Sequence, residues 1–234
     1  MICSSGYTIP SLGTDHEYVS ALASQANVIV LDSDYRKAPE DPFPAGPQDA
    51  MDVVNYVLAH PLIYDASNIF LSGFSAGGAL ALGVALTLGP ERIKGVFGIY
   101  PPVDITRRYP APVSRFDGGY VVSRWMGSHF DNAYALPAQS HADPLISCLH
   151  FDPELHKFPK HVYLACGNAD SLYTPVEKLA QKMKEAGVED VVFNCVEFEA
   201  HGFDKAAKAG SVSWERKNMM YRDIVDMVKK CIEM

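Results

Sequence analysis

A serine between small residues stands where a nucleophile could be displayed. Residues 73–77 are Gly-Phe-Ser-Ala-Gly, which matches G-x-S-x-G, and they lie between an apolar run and a helical pattern of small residues. Such a turn is so tight that the neighbours of the serine must be small, and its strained backbone lifts the hydroxyl above the sheet. The amide of Ala76 would lie at a helix N-terminus, where it can stabilise developing negative charge. We therefore predict that Ser75 is a nucleophile.

A serine nucleophile needs a base and a carboxylate that orients the base. His201 follows the last apolar run and Asp170 follows the run at 161–167, so both would share the carboxyl edge of a parallel sheet with Ser75. The order serine, acid, histidine along the chain agrees with the turn pattern. We predict that His201 takes the serine proton and that Asp170 fixes the imidazole tautomer. Three carboxylates remain rivals of Asp170: Asp190, Glu199 and Asp204.

Short apolar runs alternate with helical patterns along the chain. Strands are predicted at 27–35, 68–74, 95–101, 161–167 and 191–199, and helices at 15–26, 47–59, 76–88, 175–186 and 212–232. Such alternation with short connections is typical of a mostly parallel sheet with helices on both faces. The first run is rich in β-branched residues, so both of its faces are expected to be buried. The sequence thus predicts an α/β fold.

One long segment, 103–141, interrupts this alternation. It has no clean period, and a long irregular segment inside a compact domain is usually functional. We predict a single domain over 1–234 with 103–141 as a cap or lid insertion. The aromatic residues of the insertion are candidate pocket walls, although packing of the cap on the sheet explains them equally well: Tyr109, Phe116, Tyr120, Trp125 and Phe130.

Composition excludes several classes of partner. The 234 residues carry a net charge of −8 and no basic run, which argues against nucleic acid or an anionic membrane surface. No apolar stretch is long enough to span a bilayer, and no signal-peptide pattern is present. The five cysteines lack metal-type spacing, and Cys166 and Cys195 fall in strands expected to be buried. A reducing, cytoplasmic location, with neither metal nor cofactor, is the resulting expectation.

Several motifs together resemble the hormone-sensitive-lipase-like branch of the α/β-hydrolases, a family of carboxylesterases and lipases. They are Asp34-Tyr35-Arg36-Lys37-Ala38-Pro39-Glu40, Phe43-Pro44-Ala45, Ser75-Ala76-Gly77-Gly78, Asp143-Pro144-Leu145-Ile146-Ser147 and His201-Gly202-Phe203. This resemblance covers nearly the whole chain. It implies an α/β-hydrolase fold, hydrolysis of small or medium acyl esters without metal or cofactor, and a cap built partly from 103–141.

The chain also departs from that family near its first residues. The family has a His-Gly-Gly-Gly stretch whose amides form half of the oxyanion hole, whereas residues 3–7 here are Cys-Ser-Ser-Gly-Tyr. The resemblance assigns the oxyanion hole to the amides of Ala76, Ser4 and Ser5. It also implies that strands found ahead of this point in the family are missing, which leaves an exposed sheet edge or a homodimer as hypotheses. Side chains beside the motifs, and one from the insertion, are candidate substrate contacts: Phe74, Tyr7, Phe203 and Trp125.

Three interpretations remain open at this point. The first is a carboxylesterase that acts on a small-molecule ester through an acyl-enzyme intermediate. The second is a hydrolase-derived binding protein with weak or lost catalysis, because the oxyanion stretch is altered. The third is amide, peptide or lactone hydrolysis, or acyl transfer, on the same scaffold, since these reactions share the same catalytic residues.

Overall fold

The computed structural model describes residues 1–106, 115–137 and 139–233. The strands are β1 (Phe70–Phe74), β2 (Gly95–Ile99), β3 (His161–Gly167) and β4 (Asp190–Val196). The helices are α1 (His16–Gln25), α2 (Ala45–Ala59), α3 (Ser75–Leu88), α4 (Arg124–Tyr134), α5 (Tyr173–Glu185), the short α6 (Phe203–Ala206) and α7 (Val212–Glu233), with a 3₁₀ turn at Cys148–His150.

The four strands form one parallel sheet in the order β1-β2-β3-β4. Continuous apolar runs make β2 and β3 buried along their whole length, because helices cover both faces of the sheet. The helix α3 is also apolar all round and packs against both β1 and β2. The predicted α/β architecture, a parallel sheet with helices on both faces, is confirmed.

The strand predicted at 27–35 is wrong. This segment is extended but makes only an isolated parallel bridge, from Ser33 to Ile2, and Ile29 is 64% exposed. Its backbone partners lie in the first three residues: Ser33 donates to the Met1 carbonyl and accepts from the Cys3 amide. A regular ladder needs partners along its whole length, and the bonds concentrated around Ser33 do not provide them. An apolar groove of about 400 Å³ runs between this segment and β1.

The predicted insertion at 103–141 contains a regular helix, α4, that its irregular pattern had concealed. Ser123 starts this helix, since its hydroxyl accepts from the Met126 amide. Tyr109 lies outside the described residues. The assignment of the whole segment as a lid within a single domain stays a prediction. No helix among the described ranges is long and apolar enough to cross a membrane.

The sheet places three chain turns at one edge. β1 ends at Phe74 directly before Ser75, β3 ends three residues before Asp170, and β4 ends five residues before His201. Because the strands are parallel, their carboxyl ends all lie on the same side of the sheet. The fold therefore collects residues that are far apart in the sequence.

The fourth strand is the edge of the sheet, which corrects the expectation for one cysteine. Cys166 on β3 is fully buried, as expected, but Cys195 is exposed, because β4 is the edge strand among the described residues and is less covered than β3.

We therefore expect a thiol reagent such as Ellman's reagent to modify about one cysteine per native chain at neutral pH. All five should react in denaturant, since the other four thiols are buried. The Cys195→Ser variant is the matched control and should lose the fast reaction. Two or more rapidly reacting thiols in the native chain would contradict the burial described here.

Candidate active site

The turn at the end of β1 displays Ser75 through close backbone packing. Ser75 has φ +48°, a left-handed conformation that side chains other than glycine rarely adopt. A Cβ on Gly73 would lie 2.3 Å from the backbone of Gly77, and a Cβ on Gly77 would lie 2.2 Å from the Ile2 carbonyl. Only glycine fits at both positions. Helix α3 begins at Ser75 itself, so the serine stands at a helix N-terminus.

A chain of two hydrogen bonds joins Ser75 to His201 and Asp170. His201 Nε2 lies 2.9 Å from Ser75 Oγ, and His201 Nδ1 lies 2.7 Å from Asp170 Oδ2. An ionised carboxylate can only accept, so Nδ1 carries the proton, and Nε2 then has its lone pair free for the serine hydroxyl. This arrangement is the one in which an imidazole can act as a base toward the serine.

The carboxylate beside His201 is itself firmly held. The Asp170 side chain is fully buried, and its Oδ1 accepts from the Leu172 amide. The three rival carboxylates bind elsewhere: Asp190 pairs with His161 and Lys230, Glu199 with Arg216 and Ser213, and Asp204 with Lys205 and two tyrosines. Of these carboxylates, the structure brings only Asp170 to His201.

A segment of the predicted insertion holds the histidine backbone. The Tyr120 amide donates to the His201 carbonyl at 2.8 Å, and the His201 amide donates to the Tyr120 carbonyl at 3.0 Å. The rings of Tyr100 and Tyr120 flank the imidazole, with centroids 4.6 Å and 5.4 Å away. Burial, followed by the charge of Asp170, raises the pKa of Tyr120, so its phenol stays neutral beside the imidazole.

The amide donors near Ser75 differ in part from the expectation. Ala76 lies in the first turn of α3, where amides have no partner within the helix. The Ser4 amide instead donates to Asp15 Oδ2 at 3.2 Å, which removes it as an oxyanion donor and corrects the prediction. Ser5 and Gly6 line the same cavity as Ser75 and are the donors left from this segment. Gly6 has φ +54°, and its position in the Ser-Ser-Gly-Tyr run was the signal for it.

A cavity of about 190 Å³ opens beside Ser75 and His201. Its walls are mainly apolar, and one face of α4 contributes several of them. The lining side chains beyond those already described include Ile9, Pro102, Val122, Met126, Phe130 and Leu172. Phe130 packs closely on Gly6 in this wall, since an ideal Cβ on Gly6 would lie 3.0 Å from the Phe130 ring.

The structure places one of the four predicted substrate contacts in the cavity wall and three outside it. Tyr7 lines the cavity and stacks on Tyr134. Phe74 and Phe203 are fully buried and line no part of the cavity, because their rings pack against other buried aromatic rings of the core. Trp125 is 77% exposed and stacks on His129. Those three assignments are wrong.

Helical spacing explains what the sequence interpretation missed. Met126 and Phe130 are four residues apart on α4 and face the cavity together, whereas Trp125 lies on the other side of that helix. Phe130 is one of the aromatic candidates of the insertion, whereas Met126 is not aromatic and falls outside that set. Tyr120 also lines the cavity, but the 37%-exposed Phe116 does not. Within the described part of the chain, no cluster of three or more His, Cys, Asp or Glu side chains could hold a metal ion.

Comparison with known proteins identifies the family of the chain. The family model for the alpha/beta hydrolase fold matches residues 2–205, most of the chain. The chain belongs to this family. The resemblance to the hormone-sensitive-lipase-like branch of these hydrolases is thereby confirmed.

Several relatives of this chain are named as esterases or ester hydrolases. The ethyl acetate hydrolase of Pseudomonas putida is 30% identical over 189 residues, which are 78% of this chain and 58% of that protein. The versiconal hemiacetal acetate esterase of Emericella nidulans is 32% identical over 182 residues, 71% of this chain and 60% of that protein. The chain thus spans less than two thirds of the length of these relatives.

Solved structures share the fold of this chain. A thermostable esterase from Pseudomonas putida superimposes with a TM-score of 0.85 at 20% identity, covering 100% of this chain and 74% of that one. A carboxyl esterase from Tuber melanosporum gives a TM-score of 0.83 at 19% identity, covering 98% and 76%. At these identities the likeness concerns the fold alone.

The close packing at the serine turn has a measurable cost when it is disturbed. In the Gly77→Ala variant the added methyl would meet the Ile2 carbonyl, so residues 1–3 must move away from α3. We expect urea denaturation to show that the free energy of unfolding falls by more than about 2 kcal/mol. Gly83→Ala in the same helix is the control. Its added methyl would lie 3.2 Å from the Leu145 carbonyl oxygen, against 2.2 Å from the Ile2 carbonyl oxygen for Gly77→Ala, so its free energy of unfolding should fall much less. Equal stability of the two variants would contradict this packing.

Proposed function

We propose that this protein hydrolyses carboxylic esters of small to medium acyl groups through a covalent acyl-enzyme intermediate. The observation that carries the proposal is the hydrogen-bonded chain Ser75–His201–Asp170 at the mouth of an apolar cavity. Family membership and the esterase relatives support it.

Acylation follows from the orientation of the hydrogen bonds. Ser75 Oγ attacks the ester carbonyl carbon while His201 Nε2 takes the hydroxyl proton. The carbonyl oxygen becomes an oxyanion, which the amides of Ala76, Ser5 and Gly6 are proposed to receive. Asp170 stabilises the imidazolium that forms. Collapse of the tetrahedral intermediate breaks the bond to the alcohol, which leaves with the proton from His201.

Deacylation uses the same groups in the reverse sense. Water attacks the acyl carbon of the ester on Ser75 and gives its proton to His201 Nε2. The second tetrahedral intermediate collapses, the carboxylic acid leaves, and Ser75 Oγ recovers the proton from the imidazolium. Ser75 and His201 thus return to their starting states.

The altered amide segment keeps the binding-protein interpretation testable. Removal of one oxyanion donor can slow an enzyme by about 10²–10³, and the Ser4 amide is directed to Asp15. A fluorophosphonate separates the two functions, because it labels only a nucleophilic serine. Stoichiometric labelling at Ser75 supports the hydrolase, whereas a folded chain that resists labelling supports a binding protein.

The catalytic assignment predicts the effect of three substitutions. Ser75→Ala and His201→Ala should each reduce the hydrolysis of p-nitrophenyl acetate by about 10³ or more, and Asp170→Asn by about 10²–10⁴ through loss of the correct tautomer. The controls are Ser24→Ala and His150→Ala, whose residues are exposed and line no part of the cavity. Residual turnover in Ser75→Ala equal to that of the unmodified protein would refute the assignment.

The size of the cavity predicts acyl-chain selectivity. A volume of about 190 Å³ admits short acyl chains, so kcat/KM should fall from p-nitrophenyl butyrate to the decanoate. Met126→Ala should raise kcat/KM for the longer esters by about tenfold relative to butyrate, since it removes a wall of the cavity. Trp125→Ala, on the adjacent exposed residue, is the matched control and should leave the profile unchanged. The prediction fails if both variants give the same profile.

A further inference from the structure

A lysine beneath the active site contacts three segments that build it. Lys205 Nζ lies 2.6 Å from Asp15 Oδ1 and 2.9 Å from Asp204 Oδ2, and 3.6 Å from the centroid of the Phe74 ring. Burial alone would lower the pKa of Lys205, but the charges of Asp204 and Asp15 outweigh burial and raise it. The lysine therefore remains a cation between two carboxylates.

The first of these carboxylates reaches the amide segment. Asp15 is 1% exposed and stands directly before α1, yet its side chain does not cap that helix. Its Oδ2 accepts from the Ser4 amide at 3.2 Å, and its Oδ1 faces Lys205. The backbone of Ser4 is thus fixed one residue before Ser5 and Gly6, the amides proposed as oxyanion donors.

The second carboxylate reaches the surroundings of His201. Asp204 lies three residues after the histidine and is buried, and it accepts from the hydroxyl of Tyr100 at 2.5 Å and of Tyr221 at 2.8 Å. The Tyr100 ring packs on the imidazole of His201 with centroids 4.6 Å apart. Burial and the charge of Asp204 hold the pKa of Tyr100 well above its ordinary value, so the phenol stays a donor.

The third contact lies beside the nucleophile. Phe74 directly precedes Ser75, is fully buried, and presents its ring face to the Lys205 ammonium. The side chain that the sequence suggested as a substrate contact therefore supports the lysine instead. Lys205 thus contacts Phe74, Asp15 and Asp204. These residues lie, respectively, before Ser75, against the Ser4 amide, and against the tyrosine that packs on His201.

We propose that Lys205 is a positioning residue, which holds the oxyanion amides, the Ser75 turn and the His201 loop in register through Asp15, Phe74 and Asp204. This inference rests on the proposed ester hydrolysis. Lys205 touches no reacting atom; it acts through Ser4 and the residues that follow it. Its contribution is to place the amides where the oxyanion develops, so it should affect the transition state more than the binding of the ester.

The test compares Lys205→Met, Asp15→Ala and Asp15→Asn with the unmodified protein. In samples that melt cooperatively, we expect Lys205→Met and Asp15→Ala to lower kcat for p-nitrophenyl butyrate about tenfold or more, with KM within about threefold. Fluorophosphonate labelling of Ser75 should slow by a similar factor, because the adduct places an oxygen in the oxyanion hole. Asp15→Asn should recover part of kcat, since its amide oxygen can still accept from Ser4.

The matched control is Lys217→Met. Lys217 is 3% exposed and pairs with Glu17 on α1 at 2.6 Å, so it is an ion-paired lysine like Lys205, whose side chain is 25% exposed. Its ion pair is with Glu17 and not with Asp15 or Asp204, and its ammonium lies 5.9 Å from the centroid of the Tyr221 ring. Its loss should lower the melting temperature and leave kcat per folded chain within about twofold. If Lys205→Met does not fold, the comparison of Asp15→Ala with Asp15→Asn carries the test.

Three results would overturn the inference. The first is a folded Lys205→Met or Asp15→Ala variant with kcat within about twofold of that of the unmodified protein. The second is an equal loss of kcat in Asp15→Ala and Asp15→Asn. The third is a loss of kcat in Lys217→Met that matches the loss in Lys205→Met. If the unmodified protein reacts with neither the ester nor the phosphonate, the proposed function fails and this inference with it. If the unmodified protein is active and the Lys205 and Asp15 variants keep its kcat, only the positioning role is overturned.

Discussion

At the turn after β1, backbone segments pack so closely that no additional carbon fits between them, and the active site depends on this packing. Gly77 packs against the Ile2 carbonyl, and Gly73 packs against Gly77. These contacts bring residues 2–7 beside the N-terminus of α3, so that the amide segment and Ser75 line one cavity. The strained φ of Ser75 persists because the surrounding packing determines it.

The buried carboxylates near the active site are subject to a second constraint, the need for a charged partner. Buried ions are stable only when they are paired and hydrogen-bonded, and loss of one partner from such a pair typically costs about 3–5 kcal/mol. Asp15 and Asp204 both pair with Lys205, whose side chain is 25% exposed, and they accept hydrogen bonds from the Ser4 amide and from two tyrosines. Asp170 is paired and hydrogen-bonded through His201 and a backbone amide. The two carboxylates beneath the site therefore belong to its framework, whereas Asp170 faces the reactive imidazole.

The cavity depends on elements that are distant in sequence. Residues 4–7 form one side, α4 forms another, and the strand ends supply Ser75 and His201. The segment around Tyr120 both lines this space and hydrogen-bonds the backbone of His201, so the predicted insertion contributes to the base as well as to the wall. A change in this segment would therefore affect substrate fit and imidazole position together.

The sequence by itself determined the parallel α/β architecture and the convergence of Ser75, Asp170 and His201, because apolar periodicity and the G-x-S-x-G turn are local properties and parallel strands end on one side. It did not determine the segment 27–35, whose β-branched composition suits a strand but whose pairing depends on partners from elsewhere in the chain. Nor could it show that Phe74 faces Lys205, that the Ser4 amide turns to Asp15, or that Met126 and not Trp125 lines the cavity. Those outcomes depend on which surfaces meet after folding, and only the tertiary structure decided them.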